Sequence, residues 1–298
     1  MMMKQKFVLY LIFSAITTVQ ILAQVNVTFY NENGDVFFDV DSDKKGSQTL
    51  VLRFSELYGY QESHRSEVII PINSGLNRAV YKLTKRREEP SSFRYSYTCR
   101  RGKYNAKPDK DYPYILPAKA GTLLSISKFE NMKYRLGKSD IDSIIGIAFN
   151  YKGLDTICAM RSGEVIEIKH NEEDSKNPKA DIVYDKSSRN IVMVEHADGS
   201  IVRYVCITPV NVLIEEGERI IAGQPIAVFK EDVNRQRMGI HLFHLTREVK
   251  NEIIIPKFFT EEGITLLNSG KQYQSISTNE LLEKELTKKE KKKIQKAK

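Results

Sequence analysis

The stretch Val212-Leu213-Ile214-Glu215-Glu216-Gly217-Glu218-Arg219-Ile220-Ile221-Ala222-Gly223-Gln224-Pro225-Ile226 sets two glycines six residues apart, each ending a turn between short apolar runs. No helical period of apolar residues runs through it, so it reads as strands joined by tight turns. The same texture extends outward, with strands expected at 123–126, 144–149, 156–160, 164–169, 191–196, 201–207 and 225–229, ending in a segment at 239–249. Gly163 reads as a turn residue needing positive φ. Residues 171–189 are polar and charged and read as a long insertion between two strands.

Towards the N-terminus, residues 25–99 alternate short β-branched and aromatic runs with polar turns. Candidate strands are 25–30, 36–40, 49–54, 68–72, 79–83 and 93–99, and Asn33-Gly34 between two of them is a hairpin signal. The chain is therefore expected to be all-β: a small N-terminal β-sandwich over 24–105, then an antiparallel β domain over 112–267. Residues 268–298 read as a charged C-terminal tail, with a helix starting near Asn279; 283–298 reads as a solvated terminus, the alternative being a basic helix touching an anionic surface.

The first residues carry Lys4 and Lys6, then an apolar run too short to span a bilayer, then Ala23. Residues 1–23 read as a signal peptide, which makes the protein exported and leaves no transmembrane span. The net charge of +8 is concentrated at the ends. Lys4 and Lys6 supply +2 and the last eighteen residues +5, leaving about +1 between them. A nearly neutral body excludes nucleic acid as a partner. Three cysteines, Cys99, Cys158 and Cys206, form no CxxC pair and read as free, buried thiols.

Four segments, in order, resemble the LytM or M23 group of zinc endopeptidases, which cut the peptide cross-bridges of bacterial cell walls. They are Tyr114-Ile115-Leu116-Pro117 with Gly121, the run from Gly153 to Ile166, the run from Ile191 to Ser200 with Tyr204, and the opening stretch from Val212 to Ile226. The resemblance implies an M23-like β domain between about Tyr112 and Val249. It also implies a zinc held by an early His and Asp and by the second His of a late His-x-His. Such an open site would acidify a bound water. Two further histidines, the first of His-x-His and one in a Tyr-x-His strand, would handle protons.

Most of these positions are altered. The aspartate is expected near Ile147 or Ala148, and residues 143–152 hold no carboxylate. No histidine lies between His64 and His170, both read as surface residues, and the nearest upstream carboxylates are Asp140 and Asp142. Tyr-x-His reads Tyr204-Val205-Cys206, and the late segment reads His241-Leu242-Phe243-His244. His241 fits the first histidine while Phe243 stands at the ligand position. Side chains alternate along a strand, so His241 and His244 share one metal only across a bulge. The glycine-rich loop expected before this strand is replaced by residues 230–235. His196 corresponds to a turn residue and reads as a hydrogen-bonding histidine. The candidate catalytic residues are His241 and Cys206, either as degenerate positions or as a Cys/His pair.

Three functions follow as expectations. The first is an exported cell-envelope protein with a non-catalytic M23-like domain that needs no cofactor and binds peptidoglycan or an envelope protein such as a wall hydrolase. The second is a working zinc metalloendopeptidase with a rearranged site built from Asp140, Asp142, His241 and His244. The third is a structural or adhesive component in which both β units are spacers.

Overall fold

The computed structural model describes residues 25–61, 66–86, 90–129, 146–152, 155–169, 190–206, 208–230 and 236–297. Residues 1–23, His64, Asp140, Asp142, the 170–189 stretch with His170, and 231–235 lie outside them.

Six strands build the N-terminal unit: β1 (Val25–Glu32), β2 (Asp35–Ser42), β3 (Gln48–Tyr58), β4 (Glu67–Ile72), β5 (Gly75–Leu83) and β6 (Ser92–Arg101). They pair as two three-stranded sheets, β1-β2-β5 and β4-β3-β6. Asn33 and Gly34, both at positive φ, close the first hairpin. This is the geometry that a two-residue hairpin turn needs to match strand twist. Alternate residues of β2, among them Val36, Phe38 and Val40, point between the sheets and are buried. They meet Leu50, Leu52, Ile72 and Leu83. Phe38 stands at the centre, with Phe29, Phe54, Tyr81, Phe93 and Tyr95 within 6.3 Å of its ring. β1 and β6 lie at the margins of their sheets. They are joined by side chains: the Tyr95 hydroxyl donates to the Val27 carbonyl at 3.3 Å and the Tyr97 hydroxyl to the Val25 carbonyl at 3.2 Å.

The second unit opens with β7 (Pro113–Tyr114), β8 (Leu123–Phe129), β9 (Gly146–Tyr151), β10 (Thr156–Cys158) and β11 (Gly163–Lys169). It continues through β12 (Asn190–Glu195), β13 (Ile201–Cys206), β14 (Val210–Val212), β15 (Arg219–Ile220) and β16 (Pro225–Phe229). The last strands are β17 (Gln236–Leu245), β18 (Asn251–Ile253), β19 (Lys257–Thr260), β20 (Gly263–Thr265) and β21 (Gln272–Gln274). One large sheet runs β15-β11-β12-β13-β17-β9-β8-β21, with β18 beside β17. Two small sheets, β10-β16-β14 and β20-β19-β7, accompany it. The core takes Val192, Val202, Tyr204, Met238, Ile240 and Phe149 from the large sheet, and Ile157, Ile226 and Phe258 from the small ones. The expected all-β architecture is what the chain adopts.

Gly217 and Gly223 of the opening stretch both sit at positive φ, as a turn residue there requires. Gly163 does not. A Cβ at Gly163 would meet the Glu195 carbonyl and Val194 Cγ1, so this glycine is needed for close approach of β11 to β12 rather than for a left-handed turn.

The residues beyond 268 pack more than a charged, solvated tail would. Tyr273 of β21 and Ser275 are buried, and β21 pairs with β8. Two short helices follow, α1 (Asn279–Glu283) and α2 (Lys288–Ala297). The break between them is a capping box: the Thr287 hydroxyl accepts from the Glu290 N–H at 3.2 Å, and the Glu290 carboxylate accepts from the Thr287 N–H at 2.6 Å. A composition reading overlooks this because a few buried side chains among many lysines are enough to dock a segment.

The two units meet across polar contacts. Ser47 N–H donates to the Glu195 carboxylate at 2.7 Å, and Arg101 donates to the Ile166 carbonyl at 2.9 Å while pairing with Glu167 at 3.1 Å. Gly46, at positive φ, lies against Ile166 and Glu195, where a Cβ would overlap the Ile166 side chain. Gly46→Ala is expected to cost about 1–3 kcal/mol through strain and overpacking. Thermal unfolding checks this, and an unchanged midpoint would count against the described contact.

Candidate functional site

β17 carries the histidines that the resemblance singles out. Its register against β13 is continuous from Ile201↔Phe243 to Cys206↔Met238, with no bulge. Side chains therefore alternate strictly. Met238, Ile240 and Leu242 join the main core together with Val202, Tyr204 and Cys206 of β13. Phe243 packs on the other face, with Ile166, Ile191, Met193 and Ile201. His241 shares that face and stands across from Arg203. Its ring lies over Gly146, where a Cβ would come within 2.9 Å of Nε2. Burial, and then the Arg203 charge, pull the His241 pKa down to about 4, so the ring is neutral at pH 7.

His244 returns to the opposite side and is buried, with Glu252 3.6 Å from its Nε2. The structure thus does not bring His241 and His244 together. Nor does it pair Cys206 with His241. Cys206 sits in the main core, on the face away from His241, and burial pushes its thiol up to about 12. A thiol so protonated is a poor nucleophile at neutral pH. Cys99, Cys158 and Cys206 are all free, and burial raises the Cys158 thiol to about 11. Ile147, where the resemblance looks for an aspartate, is buried in the main core. Among the described residues no three His, Cys, Asp or Glu side chains converge as a metal site. Among the described residues His241 and His244 do not come together as zinc ligands, and Asp140 and Asp142 lie outside those residues.

An extended polar arrangement among the described residues lies elsewhere, around Arg161, in the turn between β10 and β11. Three remote segments converge on it: Tyr112 and Tyr114 at β7, Asp198 at the β12–β13 turn, and Glu285 between α1 and α2. The guanidinium is buried, 3.7 Å over the Tyr112 ring. Its Nη1 donates to Asp198 at 2.8 Å and to the Tyr114 hydroxyl at 3.3 Å. Nε and Nη2 grip the Glu285 carboxylate at 3.0, 3.1 and 2.6 Å. Burial alone would weaken the charge on Arg161, but the surrounding carboxylates and Tyr114 more than offset it. Asp198 is held down to about 2 against its own burial, by the Ser200 hydroxyl and by Arg161.

His196 anchors the same turn. Its Nδ1 meets the Ser162 carbonyl at 2.9 Å, so Nδ1 carries the proton. Its Nε2 is buried with no hydrogen-bond partner among the described residues. Burial and the Arg161 charge push its pKa far down. The expected hydrogen-bonding histidine is thus present, bonded across to the β10–β11 turn.

An all-β chain with a large antiparallel sheet and a separate sandwich is the class these observations define. No family model matches the chain, and no curated protein matches it in sequence. Among solved structures, the hexagonal crystal form of Helicobacter pylori Csd3 is similar at 11% identity and a TM-score of 0.28. That similarity covers 74% of this chain and 65% of that one, so this chain spans less than two thirds of its length. The orthorhombic form is similar at 11% identity and a TM-score of 0.29, covering 92% of this chain and 78% of that one. Scores this low carry no argument about function. No helix among the described residues is long and apolar enough to cross a membrane.

Proposed function

We propose that this is an exported cell-envelope protein whose second unit, an M23-like β domain, binds peptidoglycan or a wall hydrolase without cleaving wall peptides. The observation that supports this reading is the unbroken register of β17, which sends His241 and His244 to opposite faces, with Phe243 where the resemblance implies a ligand. The ordered sequence segments supply the link to the cell wall, and the signal-like first residues supply the export.

The purified full chain is expected to contain close to no zinc and to sediment with isolated cell-wall sacculi. One tightly held zinc per chain, lost in His241→Ala and accompanied by chelator-sensitive hydrolysis of wall peptides, would replace this reading with the metallopeptidase. Absence of any wall binding would favour the spacer.

A further inference from the structure

We propose that the Arg161 guanidinium is a receptor for a peptide carboxylate, occupied within the intact chain by Glu285, and that a ligand carboxylate exchanges with Glu285 there. The inference does not rest on the cell-wall reading.

The two edges of the guanidinium are used differently. The Nη1 edge belongs to the fold. Asp198, its partner, is fixed by the Gly199 turn and by the N–H of Ser200 at 3.0 Å, the Ser200 hydroxyl at 2.6 Å and the Asp109 N–H at 3.1 Å. The Nε and Nη2 edge is a planar fork, and it holds Glu285 two-pronged. Any free carboxylate can make that pair. The Tyr112 hydroxyl adds a further hydrogen bond to the same carboxylate, and the Lys284 ammonium lies 4.5 Å from the Tyr112 ring. Fork, hydroxyl and aromatic floor together suit a carboxylate, while Lys284 belongs to the same segment as Glu285 and leaves with it.

Glu285 reaches Arg161 on a lightly held strap. No residue of α1 is buried. The strap is otherwise held by Leu286, which is buried, by Leu282 against Gly223, and by Arg219 bonding the Glu285 carbonyl at 3.1 Å and Glu290 at 3.3 Å. Segments with so few buried contacts open locally far below the cost of global unfolding. The tether keeps the Glu285 carboxylate at a high effective concentration, so a free ligand must outcompete it. Removing that carboxylate's charge removes the competitor and leaves the fork, Tyr112 and Asp198 in place.

The test uses the full chain and its Glu285→Gln variant, titrated calorimetrically with N-acetylalanylalanine as the free acid and as its amide. The acid is expected to bind Glu285→Gln at least about tenfold more tightly than the parent chain, with Glu285→Asp between them and the amide bound by none. In the unaltered chain, saturating acid is expected to speed deuterium uptake across residues 280–290. Equal affinity for Glu285→Gln and parent, equal response to acid and amide, or no binding by either protein would overturn the proposal. Unchanged deuterium uptake in the unaltered chain would also overturn it, whether or not the variant folds, because Glu285 would then be a fixed strut.

Discussion

Arg161→Met is expected to lower the thermal unfolding midpoint by on the order of 10 °C. The substitution keeps most of the side-chain volume over Tyr112 but leaves Asp198 and Glu285, whose side chains are only 15% and 14% exposed, facing each other with no cation between them. Removing one partner of a buried ion pair costs about 3–5 kcal/mol because the remaining charge stays desolvated. For a chain of this size each kcal/mol moves the midpoint by about 2–4 °C. A double variant, Arg161→Met with Glu285→Leu, is expected to recover part of the loss, since one of the two stranded carboxylates is gone. Scanning calorimetry at pH 7 decides the matter. A single variant within 2 °C of the parent would mean that the cluster is too well hydrated to matter.

Acid is expected to destabilise the protein well before its carboxylates titrate. His241 has a folded pKa of about 4 and His196 one pushed far below the ordinary histidine value, both through burial first. Both rings are neutral in the folded chain, whereas unfolding releases them to a pKa near 6.5. Between those values the unfolded chain binds more protons, so stability rises with pH. It is fully present above about pH 6.5 and is lost as pH falls towards 4. Each histidine contributes a slope approaching 1.4 kcal/mol per pH unit, and His241 alone accounts for on the order of 3 kcal/mol across the window. Asp198 acts in the same direction but lower: its stabilisation begins to fall near pH 4, where the unfolded carboxylate protonates, and is gone by its folded pKa of about 2. Urea titrations between pH 7 and 4 measure the slope. His241→Gln should flatten it, and an unchanged slope in that variant would remove His241 from the account.

The strands were legible in the sequence because each half-buried strand alternates apolar and polar residues, as β2 does from Val36 to Val40, and because glycines mark turns, as Gly217 and Gly223 do. Alternation along β17 separates His241 from His244 unless a bulge intervenes, and the register contains none. What could not be read was pairing at a distance. Arg161 and Asp198 both stand inside segments that attract notice, yet nothing in either segment points to Glu285, 124 residues beyond Arg161. Periodicity reports the face of a strand and not which remote segment covers it. For the same reason the residues alone leave a Cys206–His241 pair open, register places the two on opposite faces, and a lysine-rich end conceals the few buried contacts that dock it.

The tyrosines of β6 have a consequence for how this molecule behaves in company. A marginal strand with open carbonyls is a template on which another chain can add itself, and sheets left that way tend to self-associate. Along β1, the carbonyls of Val25 and Val27 already accept from the hydroxyls of Tyr97 and Tyr95. Two phenols thus stand where an intruding backbone would have to bond. At these two carbonyls the margin along β1 is already taken, so a seventh strand would have to displace the phenols to add there.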